Sequence, residues 1–171
     1  MAVFSRAINV EMDWIDEASF EIRGTLNDDV HSVEARLAVG YPDFTIQEAS
    51  GGITRMPYPG YCQGAYSVLP KLVGERIGRG FRKRVGELVG GAASCNHLHT
   101  LINDMVTCAF QMNYYRAKKD PRAIEVFREI GDDHARKRRL VLAWMPQLRN
   151  SCYVFSEAAD SVFGKPDGGA E

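Results

Sequence analysis

The 171-residue chain contains no CxxC pair, which removes thioredoxin-like redox chemistry and the ordinary zinc-finger spacings. It has no P-loop, no HExxH, no GxSxG and no dinucleotide fingerprint. Gly78-Arg79-Gly80 is too short for a phosphate loop and follows helical rather than strand residues. Phosphoryl transfer and nicotinamide redox are therefore disfavoured. Long apolar runs are missing as well. Leu140 to Pro146 falls far short of a membrane span. The opening MAVFSRAINVEMDW lacks a basic region followed by an apolar one, so no secretory signal is read and a cytoplasmic protein is expected. With 45% apolar and 25% charged residues, the composition excludes disorder and collagen-like repeats. The length predicts one domain over residues 1–158, with a flexible tail over residues 159–171.

Cysteine is scarce: Cys62, Cys95, Cys108 and Cys152 are the whole supply. Without a secretory signal they are expected as reduced thiols. Net charge is only −1, but it is unevenly spread. Residues 1–50 hold 3 Lys/Arg against 10 Asp/Glu, and the remainder holds 18 against 12. Two basic clusters, at Arg79 to Arg84 and at Arg136 to Arg139, hold only Phe81 between them, too few aromatics for a single-strand nucleic-acid binder. They read as solvated helix faces. The expected partner is a small-molecule substrate, with neither nucleic acid nor membrane, and the surface leaves room for a homo-oligomer.

Along the chain, the first third reads as strand. Ala18 to Leu26 alternates, with Phe20, Ile22 and Gly24 on one face and Glu21, Arg23 and Thr25 on the other. Val3 to Met12, Val30 to Val39 and Phe44 to Arg55 are the neighbouring candidates, separated by Asn27-Asp28-Asp29 and Gly40-Tyr41-Pro42-Asp43 turns. This is an antiparallel meander of three to four strands. After Pro57-Tyr58-Pro59-Gly60 the pattern turns helical, giving an α+β fold with a helical layer. Tyr61 to Val73 is a helix shortened or kinked by Pro70, and Ile77 to Val89 is a short second one. Leu98, Leu101, Ile102, Met105, Ala109 and Met112 form one apolar stripe on a helix from Ser94 to about Ala117. Pro121 opens another helix through Ile130. Arg136 to Trp144 is helical or extended, and Asn150 to Phe155 is a short apolar segment.

The informative stretch is GGAASCNHLH, Gly90 to His99. Small residues lead into a helix whose first turn holds a thiol and two imidazoles. Cys95 and His99 share a helical face. Cys95 and His97 are two apart and diverge inside a regular helix, yet converge if Cys95 sits at or before the cap. A helix N-terminus also stabilises a thiolate. Further soft donors are Cys62 at the mouth of the first helix, Cys152 in the late NSCYVF segment and His31 after the Asp28-Asp29 turn. Taken singly, a cysteine is more often a small buried hydrophobe than a ligand, and His31 on a strand more often a surface or capped imidazole. Cys108 lies about 20 Å along the helix from Cys95 and reads as structural.

Several phrases resemble a bacterial family catalogued as domain of unknown function 2889. These are GTLNDD followed by HSVEARL, the MPYPGYC loop, LVGERIGRGF, SCNHLHTL and LRNSCYVF, together spanning roughly residues 10–155. The most specific is the Cys95-Asn96-His97-Leu98 step, where members usually read Gly-Cys-Thr-His-Leu and this chain has Ser94 and Asn96 instead. More distantly, the layout is similar to IscU/NifU-type scaffolds, without their Leu-Pro-Pro-Val-Lys recognition segment. The resemblance implies that Cys62, Cys95, His97 and Cys152 belong together. The leading expectation is a small metal-dependent enzyme, lyase- or hydrolase-like, acting on a small aromatic or acyl substrate in catabolism. Mononuclear zinc or iron would be held by Cys62, Cys95 and His97, with His31 or Cys152 as a further donor. Tyr58, Tyr61 and His99 are the acid/base or orienting candidates. The alternatives are an iron–sulfur or zinc carrier and a metal-free small-molecule-binding protein.

Overall fold

The computed structural model describes residues 3–163. They fall into two compact units, the first reaching Asn113 and the second beginning at Tyr114. The predicted single domain, residues 1–158, shows no such division in its hydrophobic periodicity.

The first unit opens with the expected meander. Strands β1 (Arg6–Trp14), β2 (Ser19–Asp28), β3 (Ser32–Gly40) and β4 (Ile46–Arg55) pair antiparallel in sequence order. The alternation of β2 is realised: Phe20, Ile22 and Leu26 are wholly buried, and β3 adds Val33, Ala35, Leu37 and Val39 to the same face. On the opposite face Arg23 pairs with Glu21 at 2.8 Å and with Asp13, so part of the acidic surplus is answered within the sheet.

The predicted helix from Tyr61 forms as a 3-10 segment, Cys62–Leu72, which buries Val68, Leu69 and Leu72. Gly64 is a poor helix former, and Pro70 brings no N–H to a backbone ladder. Helix α1 (Phe81–Val89) starts later than Ile77, because Gly80 takes the cap with φ 83°. Its Arg84 pairs with Glu75 at 2.8 Å and Glu87 at 3.1 Å, so that basic cluster is partly neutralised locally.

Helix α2 (Asn96–Cys108) lays Leu98, Leu101, Ile102 and Met105 on the sheet. Gly24 permits the approach, since a Cβ there would lie 2.6 Å from Sδ of Met105. The single helix predicted to Ala117 is broken, and α3 (Gln111–Ala117) follows as a separate element. Near the break, Thr107 Oγ1 donates to the carbonyl of Asn103 at 2.7 Å, a back-bond that bends helices. Met112 N then bonds Ala109 O at 3.1 Å, a tighter turn.

In the second unit, α4 (Pro121–Ile130) and α5 (His134–Trp144) are each capped by an aspartate, Asp120 and Asp133. Arg136 to Trp144 is thus helical. Arg138 is not on a solvated face: it is 3% exposed, and it donates to Ser156 O at 3.0 Å and to Asp160 Oδ1 at 2.7 Å. Arg149 joins the same carboxylate at 3.2 Å. Asp160 opens the short helix α6 (Asp160–Phe163), and Ala159 ends the 3-10 turn before it, so this part of the predicted tail has defined secondary structure. Residues 164–171 of that tail lie outside the described residues.

Candidate metal-binding site

The site grows from the β2–β3 turn. Asp28 ends β2, and its N–H donates to the carbonyl of His31 at 2.9 Å. Its Oδ1 accepts from the N–H of Val30 (3.0 Å), the N–H of His31 (2.7 Å) and the His31 ring Nδ1 (3.0 Å). An aspartate at this position folds the turn and fixes the imidazole in one act. Oδ2 accepts from Arg6 of β1, through Nε at 3.2 Å and Nη2 at 2.8 Å. Arg55, at the end of β4, braces the turn by donating to the carbonyls of Asp28 (2.5 Å) and His31 (3.2 Å).

The Asp28 side chain is 1% exposed. Burial opposes its ionisation, but the hydrogen bonds from Val30, His31 and Arg6 outweigh it and hold the carboxyl well below the usual range.

The α2 start brings the second half. Cys95 is the N-cap, extended at φ −114° and ψ 133°. That is the condition under which Cys95 and His97 converge, and Sγ lies 3.5 Å from His97 Nδ1. The other ring nitrogen of His97, Nε2, is 3.8 Å from Asp28 Oδ2. The His97 ring stacks on that of His31 with centroids 3.8 Å apart. Burial, then the nearby His31 and Arg6 charges, lower the His97 pKa against the pull of Asp28. A neutral imidazole, the form a metal binds, is thereby favoured.

Among the described residues, Asp28, His31 and His97 form a group whose ligand atoms lie within 4.8 Å of one another. Two ligands of one tetrahedral ion stand about 3.4 Å apart. The 3.8 Å between His97 Nε2 and Asp28 Oδ2 is long for a hydrogen bond and close to that spacing.

Of the expected donors, His31 and His97 are therefore brought together and Cys95 stands beside them. Asp28 is the member sequence reasoning passed over, having read it only as turn. Cys62 does not belong to the group. It lies with Cys95 along an open cleft of about 680 Å³, walled by Tyr58, Tyr61 and Ala65 on one side and residues 92–95 on the other. Tyr58 and Tyr61 thus line a cleft that includes Cys95. His99 faces elsewhere, into a smaller hollow of about 320 Å³ beside Gly86 and Gly90, where its Nε2 lies 3.0 Å from Asn103 Nδ2. Cys95 borders both spaces. Cys152 belongs to the second unit and is exposed. Cys108 is half-buried, and burial, with Asp104 nearby, pushes its thiol up, as suits a structural cysteine.

A chain with this four-strand meander and helical layer matches one family profile over residues 4–111. The protein belongs to that family, described as Protein of unknown function (DUF2889). The match covers the first unit nearly to its end. It leaves LRNSCYVF, and with it Cys152, outside. No curated protein and no solved structure matches the chain, so the IscU-like arrangement stays an expectation from layout. No helix among the described residues is long and apolar enough to cross a membrane.

Proposed function

We propose that the protein is a small metal-dependent enzyme, hydrolase- or lyase-like, with zinc or iron held by Asp28, His31 and His97. The observation that carries this reading is the convergence of two imidazoles and one carboxylate from two separate elements. Two histidines and a carboxylate are a common catalytic set for zinc, and also suit non-haem iron, and both leave positions open. Such an ion would supply Lewis-acid polarisation of a carbonyl. A cluster carrier is the weaker alternative, because iron–sulfur clusters are held mainly by thiolates and the trio has none.

The test is elemental analysis with an absorption spectrum on full-length protein from anaerobic, metal-replete expression. The expected result is about one zinc or iron per chain, as a mononuclear site requires. His31→Ala and His97→Ala should both lose it, whereas Cys108→Ala should keep it. Metal-free wild type, or full metal content in both histidine variants, would overturn the reading. Colour with labile sulfide would instead favour the carrier.

A further inference from the structure

We infer that the cleft between the Tyr58–Ala65 turn and residues 92–95 binds the substrate, and that its ligand is a small, uncharged aromatic carbonyl compound. This deepens the metal-enzyme reading and rests on it only for what is done to the ligand.

The size fits: about 680 Å³ lies within the range of small-molecule sites. The lining carries no charged side chain, so a carboxylate or ammonium buried there would have no counter-charge. Tyr58 and Tyr61 are 69% and 84% exposed. Neither belongs to the core, so their rings are available to pack against a second ring. Ala92 and Ala93 also line the cleft, and their small side chains leave a slot there.

Polarity is specified as well. Ser94 is one of the residues lining the cleft, and its hydroxyl is buried with no hydrogen-bond partner among the described residues. Buried hydroxyls without partners are uncommon and costly. A carbonyl oxygen on the ligand would accept from it. Cys95 carries the cleft toward the candidate metal ligands, because the same thiol touches His97.

The experiment uses benzamide as probe and the full-length chain. Cys62, which lines the cleft, is alkylated with iodoacetamide and its rate read by peptide mass spectrometry, with and without benzamide. Benzamide should slow Cys62 alkylation, and benzoate should do so at least tenfold less effectively. Ala93→Phe, which fills the slot, should abolish protection. Ser94→Ala should weaken it about five- to tenfold, the worth of one hydrogen bond. Ala65→Phe serves as a second filling variant from the opposite wall. No protection by benzamide at millimolar concentration, or equal protection by benzoate, would overturn the inference. So would undiminished protection in both filling variants. His97→Ala separates this from the metal reading. Protection that persists there while metal is lost supports both. A metal-loaded wild type that benzamide does not protect sinks the cleft inference alone.

Discussion

Asp28 shows how much one side chain can hold. Its two oxygens accept from two backbone N–H groups, one imidazole and one guanidinium, and it is buried. Asn at this position keeps the size and an acceptor for the turn, but gives up the charge that Arg6 and a metal both need. Asp28→Asn is therefore expected to fold with its meander intact. Its metal affinity should fall by about 10- to 100-fold or more, the loss typical when even a supporting partner of a ligand is removed. Equilibrium dialysis against zinc checks this, and wild-type affinity in the variant would show that Asp28 is only a turn residue. The same residue marks the limit of reading by type. Aspartates are common, and Asn27-Asp28-Asp29 looks complete as a turn. The missed signal is the Asp28-x-x-His31 spacing, which places a carboxylate and an imidazole on one tight turn. His97 was legible because it follows Cys95 at a helix start. Its convergence with His31 was not, since that depends on the β2–β3 turn meeting the start of α2 in the folded chain.

At the scale of elements, the strands were legible and the helices less so. Period-two alternation fixes which face is buried, and one buried face pins the register. Helical spacing says only that a stripe is apolar. It did not reveal that residues 62–72 wind as 3-10, nor that the long stripe breaks after Cys108. The two glycines under the helical layer test how tightly it is packed. A Cβ on Gly51 would lie 2.6 Å from the backbone carbonyl oxygen of Glu34 and 3.1 Å from Leu69 Cδ1. Backbone cannot step aside without disturbing the β3–β4 ladder. A Cβ on Gly24 meets side-chain atoms of Met105 and Leu101, within 2.9 Å, and methionine can change rotamer. Gly51→Ala should therefore cost about 2–3 kcal/mol and Gly24→Ala about 1 kcal/mol in urea unfolding, within the usual range for overpacking. The reverse order would mean that α2, not β3, is the less yielding neighbour.

For the molecule as a whole, the family match and the first unit nearly coincide, and the candidate site lies within both. The second unit has its own polar centre. Arg149, and then Arg138, hold the Asp160 carboxyl down at about 2 from an ordinary 3.8. A carboxyl lowered by folding adds stability that is full above its unfolded pKa and vanishes as pH falls through the folded value. The contribution should thus be complete above about pH 4 and lost by about pH 2. The two tryptophans allow the units to be followed separately, because Trp14 lies in the first and Trp144 in the second. Trp144 packs edge-on against Phe127 with ring centroids 5.8 Å apart, so loosening of this unit should change its emission. In a Trp14→Phe protein, Trp144 fluorescence should shift between pH 4 and pH 2. Asp160→Asn in that background should show part of the shifted signal already at pH 7, because the one carboxylate that Arg138 and Arg149 share is then uncharged. An acid transition identical with and without Asp160 would assign the stability of this unit to its apolar contacts rather than to the two arginines on one carboxylate.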